Sequence, residues 1–325
     1  MFPDLKQRAL ILIAAGLGGW AWLAALPWLR SATGFTGVSL FSAGAGLFPA
    51  TAAAWIASLP AIALGLAASV RGHPLAGVFS LTLALAFVAV AGGPTDGWVH
   101  AHSLVPSDQA APQLPRAYRA LSVELLAWIV PMLAMLAMVE ACRARLRAAL
   151  PRFIGVDTLG AHTHFAVWDG REVMAALSTA VCGGLAAQLL LRTHEPSQVL
   201  GGLFCAFALG GLLGQTLHAP RNPLPMLLTP IVVAAAGYLF VQRTGPEASG
   251  FLRSWYGGAP TLPGLARALP VHYASAGIAG VAFGIGWAQA LAGAAAEDKA
   301  EAQDLEATAS EPPRPSHATR ADHPQ

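Results

Sequence analysis

Polar residues are sparse along this chain, and the apolar ones fall in long runs rather than at the helical or strand period of a segment half exposed to water. A helix needs roughly 20 apolar residues to cross a hydrocarbon core of about 30 Å. Eight runs approach that length, near residues 9–29, 50–70, 75–93, 120–141, 173–191, 198–217, 224–242 and 271–294. They predict an all-α, polytopic helical membrane protein of about eight transmembrane helices, with one membrane domain over residues 1–294. Beyond it, Glu297, Asp298, Glu301, Asp304, Glu306 and Glu311 alternate with Ala, Ser and Pro. Such a composition buries too little apolar surface to order itself, so residues 295–325 read as a disordered acidic tail.

Two stretches fit the pattern less simply. Lys6 and Arg8 precede the first run in the manner of a signal peptide, but 21 apolar residues from Ala9 to Leu29 exceed a usual signal core, which favours a retained anchor. Ser31 to Phe48 is uncharged and rich in Gly and Ser, with Phe35, Leu40, Phe41 and Leu47 spread through it. Irregular backbone at membrane depth must be shielded by protein. The segment is therefore expected to lie along the interface rather than re-enter the bilayer.

Composition agrees with the run pattern: 55% of residues are hydrophobic and 11% charged, whereas a soluble domain carries about 25% charged residues. A net charge of +2 with scattered basic residues lacks the clustered Lys and Arg of a nucleic-acid surface. The positive-inside bias places both termini in the cytoplasm of a multi-pass cell-membrane protein. That orientation rests mainly on Arg143, Arg145, Arg147, Arg152 and Arg171 in one loop. The first four are candidates for contact with anionic headgroups. Cys142, Cys182 and Cys205 share no metal-ligand spacing and predict no disulfide framework.

Acidic side chains inside a span are the first places to look for chemistry, because an unsolvated charge there is costly. Glu140 sits near a helix end with Arg143 three residues on, the spacing of a terminal ion pair. Glu124 lies deeper, with Trp128 next on its helix face and Pro131 below. Proline removes a helical hydrogen bond and frees a carbonyl. Glu124 and Pro131 are thus the transport candidates, as a proton or cation site. The competing and preferred reading has Glu124 snorkelling outward to Arg116 or Arg119.

Two loops carry His-x-His, which in extended chain points both imidazoles the same way and suits a transition metal. Asp96, His100 and His102 form one candidate set, and Asp157, His162 and His164 the other. On this topology they face opposite sides, and each is more simply a polar interfacial loop. His218 and His272 also fall at opposite ends of their helices, which disfavours a haem between them. No phosphate-binding Gly-x-x-x-x-Gly-Lys, Gly-x-Ser-x-Gly or His-Glu-x-x-His occurs.

Small residues recur every four positions in two runs: Gly202, Ala206, Gly210, Gly214 and Ala276, Gly280, Gly284, Ala288. Such ladders let helix backbones approach where lipid supplies no hydrophobic drive. They are expected to join helices within the chain, the alternative being a homo-oligomer interface. Packing signals therefore outnumber chemical ones. The leading expectation is a non-catalytic scaffold or the membrane subunit of a larger assembly, with a membrane-protein partner. The alternatives are a transporter or channel for a small solute, which depends on Glu124, and a metal-dependent enzyme at the membrane surface.

Overall fold

The computed structural model describes residues 5–31, 37–71, 75–95, 98, 113–149, 169–244 and 262–310. The chain forms helices α1 (Leu5–Leu29), α2 (Leu47–Arg71), α3 (Leu75–Ala91), α4 (Gln113–Ala149), α5 (Gly170–Leu190) and α6 (Pro196–His218). A short α7 (Leu224–Leu227) leads into α8 (Thr229–Thr244). A 3-10 turn (Gly264–Ala266) then precedes α9 (Pro270–His272), a π turn (Tyr273–Gly277) and α10 (Ile278–Ser310), the last three being one continuous helical run. Extended pairing among the described residues amounts to two isolated bridges, Arg30 with Val38 and Ser31 with Ala43.

Seven helical stretches are long and apolar enough to cross a membrane: Arg8–Leu29, Leu47–Ser69, Pro115–Cys142, Gly170–Leu190, Pro196–His218, Leu224–Arg243 and Pro270–Ala295. Their outward faces carry large apolar side chains, among them Leu12, Leu17, Trp20, Leu126, Leu185, Leu209, Val232 and Phe283, all exposed. A water-soluble monomer rarely shows such continuous apolar surface. Together these features make the chain an integral, multi-pass membrane protein.

The expected third span is the shortest. The 17 residues of α3 rise roughly 26 Å at 1.5 Å per residue, a little less than the hydrocarbon thickness. This helix packs against α1, α2, α4, α6, α10 and the π turn, and eleven of its residues are buried, so protein covers most of it while Phe87 and Val90 remain exposed. The last helix differs in the other direction: it continues to Ser310, past the point where the acidic segment begins, and residues 311–325 lie outside the described ones.

Helix polarity alternates, so the ends of α1, α3, α5 and α8 gather with the starts of α2, α4, α6 and α9. We call this the distal end. Bonds there link Gly37 N–H to the Gly92 carbonyl at 2.7 Å and Thr95 N–H to the His194 carbonyl at 3.2 Å. The start of α1 and the membrane exit of α10 both lie at the opposite, proximal end.

At the proximal end Asp169 caps α5, accepting from Arg171 N–H at 2.8 Å, while Glu172 reaches back to Asp169 N–H at 3.2 Å. This reciprocal capping box satisfies amides that the first helical turn leaves open. The interaction with Glu172, followed by the Arg171 amide, holds the Asp169 carboxyl below its ordinary value.

Small residues set the helix spacing. A Cβ built on Gly210 would stand 2.7 Å from the Thr179 carbonyl oxygen of α5, and one on Gly214 would collide with the Thr179 hydroxyl. Gly202 faces Leu190 and Leu191, and Ala206 is buried. The first ladder thus lies on α5. The second lies on α6 instead, where a Cβ on Gly280 would meet the Phe204 carbonyl and one on Gly284 the Ala208 carbonyl. Ala276 and Ala288 are buried along the same run. Two faces of α6 are therefore used at once, which makes α5–α6–α10 a tightly spaced triplet. Elsewhere Gly18 of α1 fits against Ala61 of α2 and Ala84 of α3, with Cβ contacts of 2.6 and 2.8 Å in prospect.

Replacing Gly280 or Gly210 by Leu forces backbones apart and is expected to destabilise the bundle by about 3 kcal/mol or more. Gly286→Leu is the internal comparison, because no atom lies within 4 Å of its added Cβ. Thermal unfolding in detergent, followed by size-exclusion profile, should show early loss of both buried-glycine variants and a parent-like Gly286→Leu.

Candidate functional site

The amphipathic register of α4 buries Ala117, Tyr118, Leu121, Glu124, Leu125 and Trp128 on one face, at the three- and four-residue spacing of a single helical stripe. Glu124 stands about 14 Å along the helix from Pro115 and is 4% exposed. Its carboxyl accepts from the Ser39 hydroxyl at 2.6 Å, the Phe41 backbone N–H at 3.2 Å and the Trp128 indole N–H at 2.8 Å.

The expected outward reach to Arg116 or Arg119 is therefore not what occurs. Both arginines are exposed, while the carboxyl turns inward to a loop some eighty residues earlier in the chain. The physical reason lies in that loop. Residues 37–46 have irregular backbone that helix geometry cannot satisfy, and Val38, Ser39 and Leu40 are all buried. An acceptor at its centre removes the cost of leaving the Phe41 amide and the Ser39 hydroxyl unbonded. The segment expected along the interface is thus divided: Val38, Ser39, Leu40 and Ala43 are packed inside the bundle, whereas Phe41, Leu47 and Phe48 are exposed, and residues 32–36 lie outside the described ones.

An aromatic layer backs the carboxyl. Trp22 of α1 stacks on Trp128 with ring centroids 5.6 Å apart. The Trp22 indole nitrogen and the Ser42 hydroxyl are buried with no hydrogen-bond partner among the described residues. One turn further on, Pro131 has no amide to give to the Ala127 carbonyl. The Trp55 indole of α2 bonds that carbonyl at 3.2 Å, so the polar spot created by the proline is closed by another helix.

A second polar cluster occupies the distal end. Four consecutive carbonyls before α9 each accept from a different side chain. The Tyr273 hydroxyl donates to Leu265 at 2.7 Å and Tyr118 to Ala266 at 2.7 Å. Thr95 donates to Arg267 at 2.8 Å and Tyr238 to Ala268 at 2.6 Å. On the other side of the same segment, Gln188 accepts from Leu265 N–H and His272 Nδ1 from Leu269 N–H, both at 3.0 Å. Arg267 is 6% exposed, and its guanidinium donates to the Leu262 carbonyl at 3.1 Å and to that of Arg192. Three of the chain's four tyrosines are thus fully buried here, in ring contact from Trp98 through Tyr118 and Tyr238 to Tyr273.

The proximal end has one comparable group. Glu172, 4% exposed, accepts from the backbone N–H groups of Arg221 and Asn222 at 3.2 and 3.4 Å and so ties the α6–α7 turn to the start of α5. His218 nearby pairs with the Ser178 hydroxyl at 3.0 Å, at the opposite end of the bundle from His272.

Asp96, His100, His102, Asp157, His162, His164 and Arg152 lie outside the described residues, as do the side chains of Arg143 and Arg147. Arg145 and Glu140 are exposed. Among the described residues, no three His, Cys, Asp or Glu side chains gather as metal ligands. The comparisons add no family: no protein-family model, curated protein or solved structure matches the chain.

The Pro131–Trp55 pairing is testable by a double-mutant cycle. Trp55→Phe should cost about 1 kcal/mol in the parent by orphaning the Ala127 carbonyl. In a Pro131→Ala background, where the helix supplies its own amide, it should cost much less. Equal losses in both backgrounds, measured by thermal unfolding, would sink the pairing.

Proposed function

We propose that this chain is a non-catalytic membrane component, a scaffold or the membrane subunit of a larger assembly, with both termini on the cytoplasmic side. The observation that carries the reading is the state of Glu124: three donors of the chain itself occupy its carboxyl. Its polarity serves to hold irregular backbone at depth. Glu172 works similarly at the other end, on backbone amides of a turn. Close interhelical packing through Gly210, Gly280 and Gly284 points to the same emphasis on a fixed bundle.

A transporter is the second reading, favoured by one feature. Glu124 lies within a span and is met by a non-helical loop, the combination that marks ion and substrate sites in many transporters.

Two measurements separate the readings. Purified in mild detergent, a subunit or scaffold should emerge in a complex of defined stoichiometry; a chain that always emerges alone and monomeric counts against it. In sealed vesicles enclosing a pH-sensitive dye, the parent protein should give no proton flux above protein-free vesicles under an imposed potential. Flux abolished by Glu124→Gln, in a variant that still folds, would replace the scaffold reading with transport.

A further inference from the structure

Two irregular segments enter the distal end from opposite halves of the chain, and they touch. Gly37 has φ +113°, a backbone conformation that side chains rarely adopt, and a Cβ there would lie 3.1 Å from Leu269 and 3.2 Å from Trp98. The first segment is anchored below by Glu124 through Ser39 and Phe41 and laterally by Gly37 N–H on the Gly92 carbonyl at 2.7 Å. The second hangs from the hydroxyls of Thr95, Tyr118, Tyr238 and Tyr273. Helix α4 serves both, with Tyr118 on one segment and Glu124 on the other.

We propose that residues 37–46 and 262–269 form a two-part lid that closes the distal end over Glu124, and that these four hydroxyls are its latch. The latch is of a particular kind. A helix or sheet holds its carbonyls through its own backbone, so its bonds break only when the element unfolds. Here four successive carbonyls depend on side chains of other elements, namely the α3 exit, α4, α8 and the π turn. The segment can therefore leave as a unit without unfolding any helix, at the cost of those bonds, of its ties to Gln188 and Arg192, and of the burial of Ala266, Ala268 and Leu269. The π turn directly behind it adds a place where the last helix departs from α geometry, a feature that often marks functional sites. Among the described residues, the second segment is thus the separable part of the distal end.

Water access tests this in the full-length chain. Cys142, Cys182 and Cys205 are replaced by Ala, and a single cysteine is placed at Ala268, which is fully buried, or at Ser197, which is exposed on α6. A membrane-impermeant maleimide is applied to protein in lipid nanodiscs. Ala268→Cys is expected to label at about one-tenth of the Ser197→Cys rate or less, as befits a site reached only by local opening. Adding Tyr118→Phe and Tyr238→Phe should raise the Ala268→Cys rate about tenfold or more, while leaving the elution volume and the Ser197→Cys rate unchanged.

Rapid labelling of Ala268→Cys in the parent would show that the end is open and overturn the lid. A folded double-Phe variant labelling no faster than the parent would overturn the latch. If that double variant does not fold, Thr95→Val and Tyr273→Phe singly carry the same comparison, with the same two outcomes.

Discussion

Backbone that leaves helical geometry inside hydrocarbon must find its hydrogen bonds within the protein, because no water is there to supply them. Most of what is unusual in this bundle follows from two places where the chain accepts that condition. Residues 37–46 and 262–269 are both irregular, each has a buried stretch (Val38 to Leu40 and Ala266 to Leu269), and apart from two isolated bridges neither pairs with a strand. Their amides and carbonyls are met by Glu124, Thr95, Gln188 and three tyrosines. These side chains come from helices that cross the membrane anyway, so the helices act as racks of donors and acceptors for the loops between them.

Helix packing makes such precise placement possible. A hydroxyl holds a carbonyl at 2.6 to 2.8 Å only if the helix bearing it is fixed to a few tenths of an ångström. Part of that fixity comes from the glycines that let α5, α6 and α10 meet backbone to backbone, α10 being continuous with the π turn that carries Tyr273. Helix α3, short and enclosed, contributes differently. Its exit carries Gly92 and Thr95, which take hold of one irregular segment each, through a carbonyl and a hydroxyl.

The spans were legible in the sequence because a membrane imposes one length on every crossing and because charge is excluded from the interior. The ladders of Gly202–Gly214 and Ala276–Ala288 were legible for a similar reason, being periodic within a single helix. What each ladder faces was not, since Gly210 and Gly280 look identical in pattern yet abut α5 and α6 respectively. Glu124 stood out as a carboxyl at depth and Pro131 as a missing amide. Their partners Ser39, Phe41 and Trp55 are 72 to 85 residues away, and no local spacing announces a bond across that distance. The tyrosines were overlooked for a sharper reason: Tyr near a helix end ordinarily marks the membrane interface, and only the fold reveals that Tyr118, Tyr238 and Tyr273 point inward.

The hydrogen bonding of Glu124 bears on function through what a proton carrier must do. A transported proton has to reach the carboxyl from one side and leave to the other, so the group must exchange partners within each cycle. With Ser39, Phe41 and Trp128 all donating to it, a proton must enter at the remaining acceptor position or displace one of them, and two of the three belong to the loop at the distal end. Exchange that displaces Ser39 or Phe41 would move residues 37–46, which come near Leu269 of the second segment at Gly37. A scaffold requires none of this motion, and in it the same bonds simply persist. The two readings thus divide on a physical property of this site: transport needs Glu124 to exchange partners at the rate of turnover, whereas a fixed membrane component needs its bonds to the loop to stay.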